Sequence, residues 1–242
     1  MVEIFNPSVA DSVGLTECAP DPTAAGELVF FHASDGKPLA TPWQVALARS
    51  KLLTQLKLPA GYILDCACGS GIQLGAHMAL LQRPGIGVEL DVQRAQASAV
   101  NLQSIAKYRN EEDLERMQNT RIIAGDGRDG ATVCATLADH FKLDEYPRIA
   151  LLHLDPARPR NSRTHGLDEM APRLDEVFKG WAPYLEEGEN GPALLLDLSP
   201  RLTHAQRLEV ESLVDEVWSG IERTWVWTSR GRGRVDRLAL WL

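Results

Sequence analysis

The chain alternates between short apolar runs and longer stretches with helical spacing, and this rhythm predicts its elements. Residues 62–65, 86–91, 121–124, 148–154 and 192–198 are short buried-type runs, each bounded by glycine, proline or charged residues, and each reads as a strand. Between them, residues 72–81, 92–109, 132–140, 174–184 and 204–217 carry apolar positions at helical spacing. A further helix precedes the first of these strands, over residues 41–56. It has Thr41 as its expected N-cap and Pro42 at its first turn. Ahead of it, residues 28–31 form a short apolar strand or plug. Residues 1–25 are rich in Pro, Asp, Ser and Thr, show no periodicity, and read as a lead-in. The charged stretch 110–119 reads as a connection into the third strand. The chain closes with two β-rich runs, 223–228 and 234–242, around a glycine turn, an arrangement that pairs antiparallel.

Five β-α units followed by a β-hairpin predict a doubly wound, mainly parallel α/β sheet of seven strands, Rossmann-like in plan, with helices on both faces. Residues 1–40 are expected to be an N-terminal segment and residues 41–242 one domain. A length of 242 residues and a hydrophobic content of 44% suit that size. No apolar run reaches the roughly 20 residues that span a bilayer. Residues 1–12 lack the basic and apolar regions of a secretory signal, so a cytoplasmic location is expected. The four cysteines (Cys18, Cys66, Cys68 and Cys134) form no C-x-x-C pair and read as reduced residues without a metal role. A net charge of −8 argues against non-specific coating of nucleic acid but leaves room for local basic surfaces.

The chemistry gathers around Asp65-Cys-Ala-Cys-Gly-Ser-Gly71, a small-residue loop between the first strand of the alternating series and its helix. Glycines there let a ligand approach the backbone, and the helix start offers free N–H groups. A dinucleotide fingerprint needs a third glycine where Leu74 stands, and Asp65 would repel a pyrophosphate. A carboxylate there suits a ligand carrying positive charge. Four successive strand ends carry acids: Asp65, Glu89, Asp126 and Asp155. In doubly wound sheets ligands bind outside these ends. Glu89 lies roughly 20 residues past the loop, where a carboxylate accepts from ribose hydroxyls.

The pattern D-x-A-C-G-S-G, with these acids downstream, resembles the class I S-adenosylmethionine (SAM) methyltransferases. The resemblance implies SAM as cofactor, held by Asp65, Ala67, Gly69, Gly71, Glu89, Leu90, Asp126, Gly127 and Thr41. Within that set it places Asp65 near the sulfonium and the ligand's ammonium, and Asp126 near the adenine amino group. The fourth-strand sequence Asp155-Pro156-Ala157-Arg158 is similar to the D-P-P-x or N-P-P-x motif of enzymes that methylate exocyclic amines of nucleic-acid bases, with Ala157 replacing the second proline. By that likeness Asp155 and the Pro156 carbonyl are the catalytic pair, holding the amine hydrogens. The D-P-A-R form and Leu39-Ala-Thr-Pro-Trp-Gln-Val-Ala-Leu-Ala-Arg49 look like the prokaryotic THUMP-like methyltransferases, relatives of the trimethylguanosine synthase group, which implies an RNA substrate. Arg158, Arg160 and Arg163, with His165, form a cationic loop suited to phosphates. Phe31 and Trp43 are candidate walls over the ligand. Arg230, Arg232 and Arg234 read as hairpin charge, and His153 as structural. A small-molecule or protein methyltransferase, or a SAM-binding protein without turnover, remain the competing readings. No metal is implied.

Overall fold

A buried apolar strand followed by an amphipathic helix is the repeating unit of this chain, and the computed structural model shows how the units assemble. It describes residues 2–24, 26, 28–33, 41–157, 166–189, 191–229 and 235–241. The fold is α/β, with eight strands in a mainly parallel, Rossmann-like sheet, as the alternation predicts. The chain divides into two compact units, one of residues 1–57 and 61–126, the other of residues 58–60 and 127–242.

The first unit contains β1 (Glu3–Phe5), β2 (Thr16–Glu17), β3 (Phe31–His32), α1 (Trp43–Leu53), β4 (Tyr62–Asp65), α2 (Ile72–Leu81), β5 (Gly85–Glu89), α3 (Val92–Arg109), α4 (Glu111–Asn119) and β6 (Arg121–Ala124). Strands β4, β5 and β6 pair in parallel, with Leu64 opposite Ile86 and Glu89 opposite Ala124. β1 adds an antiparallel strand outside β6, Ile4 facing Ile123. This is the strand beyond the seven expected, and it comes from the lead-in. Its three residues are too short to show a period, so only the partner strand reveals it. Asp21 also belongs to that lead-in, and its Oδ2 accepts the N–H of Trp43 at 2.7 Å. Burial works to raise the Asp21 carboxyl, but bonds from the Thr23 hydroxyl and the Trp43 and Thr23 N–H groups outweigh it and hold it below the usual range.

Two expectations are corrected here. Thr41 does not cap α1: the cap position is Pro42, without a side-chain bond, and Asp21 satisfies the first orphan donor from 22 residues away. The charged stretch 110–119 is the helix α4 rather than a plain connection. Asn110 caps it by accepting from Asp113 N–H at 2.8 Å. Arg109 and Arg116 both pair with the buried Asp113.

The second unit contains α5 (Gly130–Phe141), β7 (Ile149–Leu154), α6 (Leu174–Trp181), β8 (Glu187–Gly188), β9 (Gly191–Pro192), β10 (Leu194–Leu198), α7 (His204–Asp215), β11 (Thr224–Ser229) and β12 (Val235–Trp241). β7 and β10 are parallel, β12 pairs antiparallel with β10, and β11 lies outside β12. The expected closing hairpin therefore forms, with its second strand against the sheet. Thr203 and Gln206 complete a capping box on α7. Every residue of β7 and β10 is buried, which is what continuous apolar runs in a sheet covered on both faces require.

Candidate functional site

In the first unit, three of the four strand-end acids stand at the same edge, since β4, β5 and β6 are neighbours and run the same way. Asp65 ends β4 and is 2% exposed, with Oδ1 accepting the Ala67 N–H at 3.2 Å. Glu89 ends β5. Its Oε2 accepts the Gly69 N–H at 3.1 Å, and its Oε1 accepts the Asp91 N–H at 3.1 Å. Burial pushes the Glu89 carboxyl up, against the opposing pull of these two N–H groups and of Arg94. Asp126 follows β6, where Gly125 N–H donates to the Glu89 carbonyl at 2.9 Å.

The loop between β4 and α2 is shaped by its glycines. Gly71 occupies the cap position of α2 at φ +74°, and Gly69 lies at φ +52°. A side chain on Gly71 would meet the Ser98 Oγ at 2.3 Å and the Ser98 carbonyl at 3.0 Å. The loop is pinned from outside as well: Cys68 N–H donates to the Val88 carbonyl at 3.0 Å. Cys66 and Cys68 are buried, and burial pushes the Cys68 thiol well up, aided by the charges of Asp65 and Glu89. The Cys68 Sγ packs against the Ser98 Oγ at 3.5 Å. The four cysteines are free, and among the described residues no cluster of His, Cys, Asp or Glu could hold a metal ion.

Leu90, next to Glu89 in the chain, is 77% exposed, and Val92 at the start of α3 is 48% exposed. Phe31 is half-buried, and its backbone is bonded to Asn101. Trp43 is corrected: it is 1% exposed, packed in the core among Leu28, Phe30, Ala46, Ile72 and Ile105. An indole enclosed in this way has no face left for a ligand. Thr41, half-buried, lies just ahead of α1.

The second unit holds the remaining candidates. Asp155 and Pro156 follow β7 directly, and Ala157 exchanges both backbone bonds with Ala171 at 2.9 Å. That reciprocal pair fixes the end of the Asp-Pro-Ala turn. Gly127 is buried, with its carbonyl accepting from the Trp181 indole at 2.7 Å. His153 is 1% exposed, with Nε2 3.5 Å from Asp197 Oδ2 on the neighbouring strand. This matches its reading as an interior residue. Arg158, Arg160, Arg163 and His165 lie outside the described residues, as do Arg230, Arg232 and Arg234.

Sequence reasoning missed Ser98 and Asn101 on α3. Both are fully buried polar residues in the middle of a helix. No local signal marks them, because their burial appears only in the fold and their partners lie 30 residues or more away.

No family model and no curated protein matches the sequence. Solved structures do match the fold. The 16S rRNA N2 methyltransferase RsmC of T. thermophilus, in complex with AdoMet and guanosine, aligns over 94% of this chain and 49% of its own, at 14% identity and a TM-score of 0.55. The rRNA methyltransferase AviRa of Streptomyces viridochromogenes aligns over 87% and 88%, at 17% identity and 0.51. The human methyltransferase 10 domain containing protein aligns over 85% and 84%, at 10% identity and 0.51. Each of these likenesses is one of fold.

Proposed function

We propose that the chain is a SAM-dependent methyltransferase that methylates an exocyclic amine of an RNA base. The observation that carries the reading is the pairing of Glu89 with the glycine loop. The carboxylate is held by Gly69 and Asp91 N–H groups and is followed by the exposed Leu90, while Asp65 at the start of the same loop accepts the Ala67 N–H. Carboxylates on both sides of a glycine turn disfavour a phosphate and favour a ligand with ribose hydroxyls and positive charge. The residues present fit SAM on that donor set: Glu89 for the ribose, Asp65 for the charged end, and Leu90 for a face of adenine. Ala67, Gly69 and Gly71 form the backbone cradle, and Asp126, Gly127 and Thr41 complete the assignment.

SAM supplies, when bound, a methyl group on an electrophilic sulfonium. The protein's part is to position the nucleophile. Asp155 and the Pro156 carbonyl accept the two amine hydrogens, which orients the nitrogen lone pair. Such orientation accounts for much of the rate in a bimolecular transfer. Proline fixes φ and offers no competing N–H at this point. Ala157, bonded to Ala171, keeps the turn in place. RNA as the substrate class rests on the Asp155-Pro156-Ala157-Arg158 motif, on the likeness of residues 39–49 to the trimethylguanosine-synthase-related group, and on the fold shared with two rRNA methyltransferases. Arg158, Arg160, Arg163 and Phe31 are assigned to the substrate.

The test is transfer of labelled methyl groups from SAM to separated RNA, DNA and protein fractions, with Asp155→Ala beside the wild type. Label in RNA that disappears in the variant is the expected result. SAM bound without label in any fraction would shift the reading to a small-molecule substrate or a binder without turnover. No SAM binding at all would overturn it.

A further inference from the structure

We infer that Asn101 is a positioning residue for the cofactor loop, and that it couples the N-terminal strand β3 to cofactor binding. The inference rests on the cofactor assignment above. Asn101 is 0% exposed and lies on α3, yet it bonds backbone groups of two distant segments. Its Oδ1 accepts the Phe31 N–H at 2.7 Å. Its Nδ2 donates to the Phe31 carbonyl at 3.0 Å and to the Ser70 carbonyl at 2.9 Å. One donor and two acceptors on the partner side fix the amide's orientation.

Ser70 is the residue between the two glycines, the part of the loop that a ligand would meet. Phe31 belongs to a segment whose other end is also held: Cys18 N–H donates to Phe30 O and Asp21 N–H to Leu28 O, both at 2.8 Å. Asp21 in turn accepts from Trp43. A continuous run of bonds therefore leads from the glycine loop through Asn101 and β3 to the start of α1. One side chain satisfies three backbone groups, so losing it releases the loop and the strand together, and each buried group left behind opposes refolding into place. Reciprocity then follows: if ordering β3 helps the cofactor bind, the cofactor orders β3 by the same factor.

The conservative variant is Asn101→Asp, which keeps the acceptor for Phe31 N–H but leaves both carbonyls without a donor. Three quantities are measured: SAM affinity by titration calorimetry, the unfolding midpoint, and hydrogen exchange at the Phe31 amide with and without SAM. The expected result is an affinity at least about tenfold weaker in the variant, as two lost bonds imply. In wild-type protein, exchange at Phe31 slows when SAM is added. Unchanged SAM affinity in a variant with a lowered midpoint would reduce Asn101 to a structural role and overturn the inference alone. So would unchanged Phe31 exchange in SAM-saturated wild type, which needs no variant to fold. Failure of the wild type to bind SAM overturns the cofactor assignment and this inference with it.

Discussion

Replacing Gly71 with alanine tests whether the glycine loop is set by backbone conformation alone or also by the approach of α3. At φ +74° an alanine pays about 1–2 kcal/mol for the left-handed backbone. The new Cβ would also stand 2.3 Å from the Ser98 Oγ, 3.0 Å from its carbonyl oxygen and 3.3 Å from its Cα. The hydroxyl can rotate away, but the carbonyl and Cα of a mid-helix residue cannot. Overpacking of this kind costs about 1–3 kcal/mol, so the whole penalty is about 2–5 kcal/mol. Gly69 supplies the control. It also has positive φ, +52°, but its Cβ would find only the Ala67 carbonyl at 3.9 Å, an ordinary contact. Gly69→Ala should then lose only the backbone term. In thermal unfolding the two variants should differ by about 2–12 °C, since 1 kcal/mol is worth about 2–4 °C in a chain of this size. Adding Ser98→Ala to Gly71→Ala should recover part of the loss and not all of it. Equal midpoints for the two alanine variants would refute the steric argument, and full recovery by Ser98→Ala would place the clash in the hydroxyl alone.

Glu89→Gln keeps an acceptor for only one of the two N–H groups, but its unfolding temperature should gain on that of the wild type as the pH is raised to 8. Burial raises the Glu89 carboxyl, so its ionised form is the one the fold disfavours, and the glutamine escapes that cost; the gain should vanish as the pH falls through the raised Glu89 value, read by unfolding at several pH values. The same variant should bind SAM more weakly in calorimetry. Asp21→Ala should cost about 0.5–2 kcal/mol at neutral pH through the lost cap. Because the Asp21 carboxyl is held below the usual range, that difference should persist above the ordinary aspartate range and vanish as acid protonates the wild-type side chain. Trp43→Ala should cost about 3–5 kcal/mol in denaturant unfolding, as a buried indole removed from a core does. Phe31→Ala, at a half-buried position, should cost much less, and a Trp43→Ala loss no larger than that of Phe31→Ala would contradict the placement of Trp43 in the core.

The parts of this protein legible from sequence are those where one local signal decides the outcome. Strand β7 reads correctly because four consecutive apolar residues, 149–152, lie in a short run bounded by Pro147 and by Asp155-Pro156, as in a strand buried on both faces. Helix α7 starts at His204, where the apolar spacing of residues 204–217 begins. Glu89 could be found because its distance from the glycine loop is fixed by one helix and one strand, and the structure does bring it to Gly69. What escaped is whatever depends on a partner far along the chain. Thr41 had the local chemistry of a cap, yet Asp21 performs the task from a segment with no period of its own. Trp43 had an aromatic ring ahead of the first parallel strand, but Leu28, Phe30 and α2 enclose it, and nothing local distinguishes a ring that covers a pocket from one that fills a core. Asn101 is the sharpest instance. A polar residue in mid-helix reads as a solvated position, and only the meeting of α3 with the glycine loop and β3 turns it into a clamp. The loop's glycines are thus necessary for its shape but do not determine it: Gly71 makes room for Ser98, and Asn101, one turn further along the same helix, holds the Ser70 carbonyl.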